Sequence, residues 1–315
     1  MDNYTFTKYR DKDKVDFEVL IDERLINTSA NHAMLSLVND FESNQWRSKK
    51  FRNFIINNLK EVALNKKERD ALSGNEGDIL ERAISKMHID NSGGEIGEVF
   101  LYGIMKNYYN ALPVVPKIFY KQNPNDNAKG ADSVHITLEE LEENAYHIWL
   151  GESKIYNDIT GSINEAVKSV YELLATDKLK KEKSLIMNLN DIEDYLSDVD
   201  DSKKPLMIEL KKTLNDRTSL DEMKKILHIP ISIIYECEMT KQHLQNPSVC
   251  LNDNYKNLII EFHKKQCGNL SQKIISKLND IPLIEYIKFH IIIFPIHNKE
   301  ELVAQINKIF EAHRQ

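Results

Sequence analysis

Apolar positions along the chain recur with two different periods, and these periods divide it into helical and extended segments. Asp16–Ile21 alternates briefly and predicts a short strand, while Ala33–Phe41 and Phe51–Leu64 carry apolar residues at helical spacing. The first ninety residues therefore predict a mainly helical N-terminal accessory region. Ala71–Asp78 contains Ser73-Gly74 and Glu76-Gly77 and predicts a connector; Asn91-Ser92-Gly93-Gly94 is a stronger break just before a new helical pattern. A domain spanning 91–315 is expected to begin there.

Glu95–Tyr109 predicts a helix packed on a sheet, with Ile96, Val99, Phe100, Tyr102, Ile104 and Met105 as its apolar face and Ser92 or the glycines as its cap. Val114–Gln122, Ala131–Leu138 and Ala145–Tyr156 are rich in Val, Ile, Tyr, Phe and Trp and predict three successive strands. Ile163–Leu174 is amphipathic at helical spacing, and Ile229–Tyr235 reads as a buried strand. The order is αβββαβ, an α/β core with a mixed sheet flanked by helices, interrupted by a charged insertion at 175–227. That insertion predicts solvated helices and turns with no chemistry of its own. Tyr255–Leu278 predicts a helix, Glu285–Pro295 a strand and Lys299–His313 a closing helix.

Composition narrows the function. The longest strongly apolar run, Ile291–Ile296, is far too short to span a bilayer, and Met1–Leu20 has no apolar signal region, so a cytoplasmic protein is expected. Cys237, Cys250 and Cys267 form an odd set without a CxxC pair, which suits a reducing compartment. The net charge of −7 matters more, because proteins that grip duplex DNA through many phosphates present a basic face. Weak binding to nucleic acid by the isolated chain follows, and with it the expectation of a partner. No GxxxxGK[ST] loop is present, so any ATP-driven step belongs to another protein.

The candidate chemistry sits on the second and third strands. Alternation projects Glu152 and Lys154 from one face of a strand and Ser153 from the other. If Ala131–Leu138 and Ala145–Tyr156 pair antiparallel, Asp132 at the start of one meets Glu152 near the end of the other. Two carboxylates then converge beside an amine. Carboxylate oxygens are natural ligands for Mg²⁺ (Mn²⁺ is an alternative), which keeps several waters and supports phosphodiester hydrolysis. Lys154 is placed to orient the attacking water or stabilise the pentavalent phosphate. Glu98 adds a third carboxylate if its helix packs near Asp132, with Glu95 one turn earlier as the alternate. Singly, each charged residue is ordinarily a solvated surface group. Together, in an apolar strand, they require a metal or mutual pairing, including a structural Glu152–Lys154 ion pair.

Gly94-Glu95-Ile96-Gly97-Glu98, Lys129-Gly130-Ala131-Asp132, Gly151-Glu152-Ser153-Lys154 and Phe289-His290-Ile291-Ile292-Ile293-Phe294-Pro295-Ile296 together resemble the HamA proteins of Hachiman anti-phage defence, a PD-(D/E)xK-like nuclease family. The resemblance covers roughly Glu81 to the C-terminus. It implies a DNA-cleaving effector with a restriction-endonuclease-like core, working with HamB, a superfamily 2 helicase, and restrained until that helicase meets suitable DNA. Ala131 replaces the proline of the PD signature, but the aspartate does the metal work. Two rival readings remain open: a non-catalytic regulatory or DNA-loading subunit of a helicase, and a self-sufficient restriction-type endonuclease.

Other residues carry weaker signals. His243, Cys250, His263 and Cys267 lack the tight spacing of a zinc site and are expected to be ordinary core or surface residues. His135 lies three residues from Asp132 and His147 five from Glu152, so alternation puts both on the opposite face from the carboxylates. Lys117, Lys121 and Lys129 suit either phosphate contact or an edge strand protected by lysines.

Overall fold

A computed structural model describes residues 16–24, 31–42, 45–115, 118, 130–138, 146–187, 204–213, 218–245 and 253–314. The elements run β1 (Glu18–Asp22), β2 (His32–Val38), β3 (Phe41–Glu42), β4 (Gln45–Trp46), α1 (Ser48–Ala63), α2 (Lys66–Ala71), α3 (Glu76–Ser85), α4 (Gly94–Tyr108) and β5 (Leu112–Val115). They continue with β6 (Ser133–Leu138), β7 (Tyr146–Tyr156), α5 (Ile159–Leu174), α6 (Thr176–Met187), α7 (Lys204–Thr213), α8 (Leu220–Lys224) and β8 (Leu227–Glu236). Last come α9 (Glu238–Gln245), α10 (Asp253–Leu278), β9 (Lys288–Ile296) and α11 (Lys299–Ala312).

A seven-stranded sheet has the order β1-β2-β9-β8-β7-β6-β5. Its four central strands, β2, β9, β8 and β7, are mutually parallel, while β1 at one edge and β6 and β5 at the other run antiparallel to their neighbours. The composition of the centre explains its position. Every residue of β9 is buried, and so is every residue of β8 up to Tyr235, as expected for parallel strands covered on both faces. One face carries Ile148, Leu150, Ile231 and Ile291 against α5, α6 and α10. The other carries Trp149, Ile155, Ile292 and Phe294 against α1, α3, α4 and α11.

The strand order corrects one expectation. The helical spacing over Ala33–Phe41 gives way to β2, a buried strand between β1 and β9. Its apolar run is continuous because both faces are covered, and a short continuous run fits either period. β1 and β2 thus extend the same sheet that strands after residue 91 build. Of the strand expected over Val114–Gln122, Val114 and Val115 belong to β5 and Ile118 is helical and buried, while the other residues of that span lie outside the described ones. Lys117, Lys121 and Lys129 lie outside the described residues.

The charged insertion also differs from a set of solvated helices. Leu179, Glu182, Lys183 and Ile186 are buried on α6, as are Leu210 on α7 and Met223 on α8. Their spacing on α6 is that of one helix face turned into the core on this side of the sheet.

Candidate active site

The site forms where the ladder between β6 and β7 stops. The last pair is Ser133 with Gly151, and the Asp132 N–H still donates to the Gly151 carbonyl at 2.7 Å. One residue further along β7 the strands part. The Ser153 N–H, pointing toward the vacated position, donates instead to Asp132 Oδ2 at 2.9 Å. A backbone donor that the ladder no longer satisfies therefore holds the aspartate side chain against β7.

Glu152 and Lys154 follow Ile148 and Leu150 on the face that packs on α5, as alternation requires. Lys154 Nζ lies 3.4 Å from Glu152 Oε2 and 3.9 Å from Asp132 Oδ2, so a single ammonium faces two carboxylates. Glu152 is 5% exposed, whereas the Lys154 and Asp132 side chains are about one-fifth open to solvent. Burial first, and then the Asp132 charge, push the Glu152 pKa up to about 8 against the pull of Lys154. Burial opposes the charge on Lys154, but Asp132 and Glu152 outweigh it and its pKa rises. One positive charge compensates one carboxylate, and the more deeply buried of the two retains its proton.

Ser153 points to the opposite face, where its hydroxyl donates to the Gly97 carbonyl of α4 at 2.8 Å. A Cβ at residue 97 would approach Ser153 Oγ to 2.9 Å, so glycine permits this close crossing of helix and strand. The start of α4 is fixed by Asp90 Oδ1, which accepts the Ser92 and Gly93 N–H groups, and Gly93 adopts a left-handed φ of 71° as the N-cap. Glu98, one residue beyond Gly97, is buried, and its charge also raises the Glu152 pKa. Glu95 is engaged elsewhere: its carboxylate accepts the His88 N–H at 2.7 Å. Of the two helix carboxylates, Glu98 is the one that acts on the site electrostatically.

The structure thus brings Asp132, Glu152 and Lys154 together and sets Glu98 beside them on the adjoining helix. Ser153 was not among the expected site residues. Its signal is faint, since a serine between the two charged residues suits the strand whether or not its hydroxyl is used. His135 lies on the far face against the Tyr102 ring, at 5.2 Å, and His147 packs on His228, at 4.4 Å. Burial lowers the pKa of His135 to about 3 and that of His147 to about 4. His263 and Cys267 are core residues, while the side chains of His243 and Cys250 lie outside those described.

A divalent ion suits this donor set in part. Among the described residues, no group of three His, Cys, Asp or Glu side chains converges closely enough to enclose an ion. Mg²⁺, however, commonly takes only one or two carboxylates and completes its shell with water and phosphate oxygens. Asp132 and Glu152 are such a pair, and the Glu98 charge is felt at Glu152.

The raised Glu152 pKa has a measurable consequence in the chelator-treated, ion-free chain. The folded protein keeps a proton from pH 4.5, the ordinary value, to about 8, while the unfolded chain loses it. Stability therefore declines as pH rises through that window and the penalty is constant above it. Glu152→Gln removes the titration. Melting temperatures of the two proteins should converge near pH 4.5 and separate up to pH about 8. The variant should end the more stable by a few kcal/mol, since each pH unit of the window contributes ~1.4 kcal/mol. Parallel melting curves across the range would contradict this.

By fold and site, the molecule is a mixed α/β protein with a carboxylate pair and a lysine at the parting of two antiparallel strands. The HamA family model matches residues 14–310 of the chain, and the chain belongs to the HamA family. It is accordingly a component of Hachiman anti-phage defence and acts within that system's complex. None of the curated proteins matches it. Among the described residues, no helix is long and apolar enough to cross a membrane.

Proposed function

We propose that the chain is a metal-dependent DNA nuclease of PD-(D/E)xK type, licensed by a HamB-like superfamily 2 helicase. The observation that carries this reading is the convergence of Asp132, Glu152 and Lys154 at the strand parting, with Lys154 Nζ 3.4 Å from one carboxylate and 3.9 Å from the other. Buried carboxylates placed side by side are costly unless a cation joins them. Mg²⁺ bound there would neutralise the scissile phosphate and lower the pKa of a coordinated water so that it can attack. Asp132 and Glu152 would hold the ion, and the charge of Glu98 would strengthen the attraction. Lys154, beside both carboxylates, would donate to the attacking water or to the phosphate oxygens as negative charge builds on them.

The family resemblance and the charge of the chain support a helicase partner. An acidic chain has little general affinity for duplex DNA, and a motor that feeds DNA to the site supplies what the chain lacks. Titration with Mn²⁺ or Mg²⁺ tests the ion site directly. The intact chain should bind one ion in a manner abolished by Asp132→Asn, a change that preserves shape and removes charge. Equal binding by wild type and Asp132→Asn would remove the site from consideration.

One observation favours a second reading. Lys154 already pairs with both carboxylates, as in a purely structural ion cluster, and a regulatory subunit would need nothing more. That reading requires that neither the chain nor its helicase complex cleave DNA.

A further inference from the structure

Glu182 belongs to the charged insertion, yet it is completely buried. On α6 it lies between Leu179 and Ile186 at i, i+3 and i+7, and those two residues join the same apolar layer as Ala131 and Val134. Its carboxylate accepts the Ala131 N–H at 3.0 Å. Ala131 is itself buried and directly precedes Asp132. The neighbouring Lys183, also buried, donates to the Thr218 carbonyl at 2.7 Å and ties the same helix turn to the segment before α8.

The turn that carries Asp132 is thus held from two sides. From the strand, the Ser153 N–H fixes the aspartate side chain; from the insertion, Glu182 fixes the backbone one residue earlier. A carboxylate is a strong acceptor for a buried N–H, and a buried N–H without an acceptor is rarely tolerated.

We infer that Glu182 is a positioning residue: by holding the Ala131 N–H it sets where Asp132 presents its carboxylate, and so couples the insertion helix to the ion site. The inference rests on Asp132 being an ion ligand. It makes α6 part of the machinery, because a movement of that helix reaches the residue before Asp132 through the Glu182 hydrogen bond. Outer partners of metal ligands commonly control affinity by about 10–100-fold.

The test uses the full-length chain, with Mn²⁺ as the probe followed by its electron paramagnetic resonance signal, and amide hydrogen exchange in the ion-free state. Glu182→Ala should melt cooperatively yet bind Mn²⁺ about 10–100-fold more weakly. Its residue-131 amide should exchange faster while the β6 amides from Val134 to Leu138 keep their protection. Glu182→Gln keeps an acceptor oxygen and should restore most of the affinity, which a general loss of packing would not predict. A folded Glu182→Ala protein with wild-type Mn²⁺ affinity overturns the inference. If that variant does not fold, Glu182→Asp decides in the same way, since it keeps the charge but withdraws the acceptor by one methylene. Absence of Mn²⁺ binding by the wild type would overturn the ion site and this inference with it. Unchanged exchange at residue 131 in a Glu182→Ala protein, with a wild type that does bind Mn²⁺, would overturn the inference alone.

Discussion

Replacing Lys154 by Ala is expected to lower the rate of DNA cleavage by the helicase complex about 10²–10³-fold, the usual loss when one donor to developing charge is removed. The geometry also predicts a split between chemistry and ion binding. In the ion-free protein Lys154 pairs with Asp132 and Glu152, the oxygens that the proposed ion would take. Its removal leaves two carboxylates without their counter-charge, so Mn²⁺ affinity should hold or increase while cleavage collapses. Lys154→Arg should not rescue cleavage. A broad planar guanidinium cannot take the place of a compact ammonium between two carboxylate oxygens. A Lys154→Ala complex that cleaves at the wild-type rate would leave the lysine without a role. Joint loss of cleavage and ion binding would point to a misfolded site.

The second large effect concerns stability. Phe100 of α4 is fully buried, and its ring lies 4.8 Å from that of Phe294, 5.6 Å from Phe54, 5.8 Å from Phe51 and 5.9 Å from Phe17. These rings come from the N-terminal segment, α1, α4 and β9, so Phe100 joins parts of the chain that the sequence alone separates. Phe100→Ala should cost about 3–5 kcal/mol, from lost burial together with the cavity left behind. Denaturant unfolding measures it as a shift in midpoint at unchanged slope. A shift worth less than about 1 kcal/mol would mean that this cluster does not bind α4 and the N-terminal region into one body. Because α4 also carries Gly97 and Glu98, ion affinity should weaken alongside stability.

The central strands and the site were legible for the same reason. Alternation in Ala145–Tyr156 identified β7, placed Glu152 and Lys154 on one face and sent His147 to the other, and the antiparallel pairing with β6 delivered Asp132. β8 and β9 announced themselves as nearly unbroken apolar runs. β2 did not, because a short strand whose five inner residues are all buried carries no period that separates strand from helix. The choice between Glu95 and Glu98 was equally beyond local reading. Both lie on one helix face, and what separates them is a backbone N–H at His88, on a turn whose position depends on tertiary packing. Glu182 looked like one charge among many between Lys178 and Lys183. Only its place at i+3 between Leu179 and Ile186 hinted that it faces inward, and nothing in the sequence pairs it with Ala131.

The most direct measurement is DNA cleavage by the helicase complex, in Mg²⁺, with wild-type chain and Glu152→Gln side by side. Glu152→Gln keeps the volume, so a folded complex should assemble and engage DNA normally. A carboxylate pair that holds the ion predicts that the wild-type complex cuts DNA and the Glu152→Gln complex does not. Cleavage at the wild-type rate by a folded Glu152→Gln complex would contradict it.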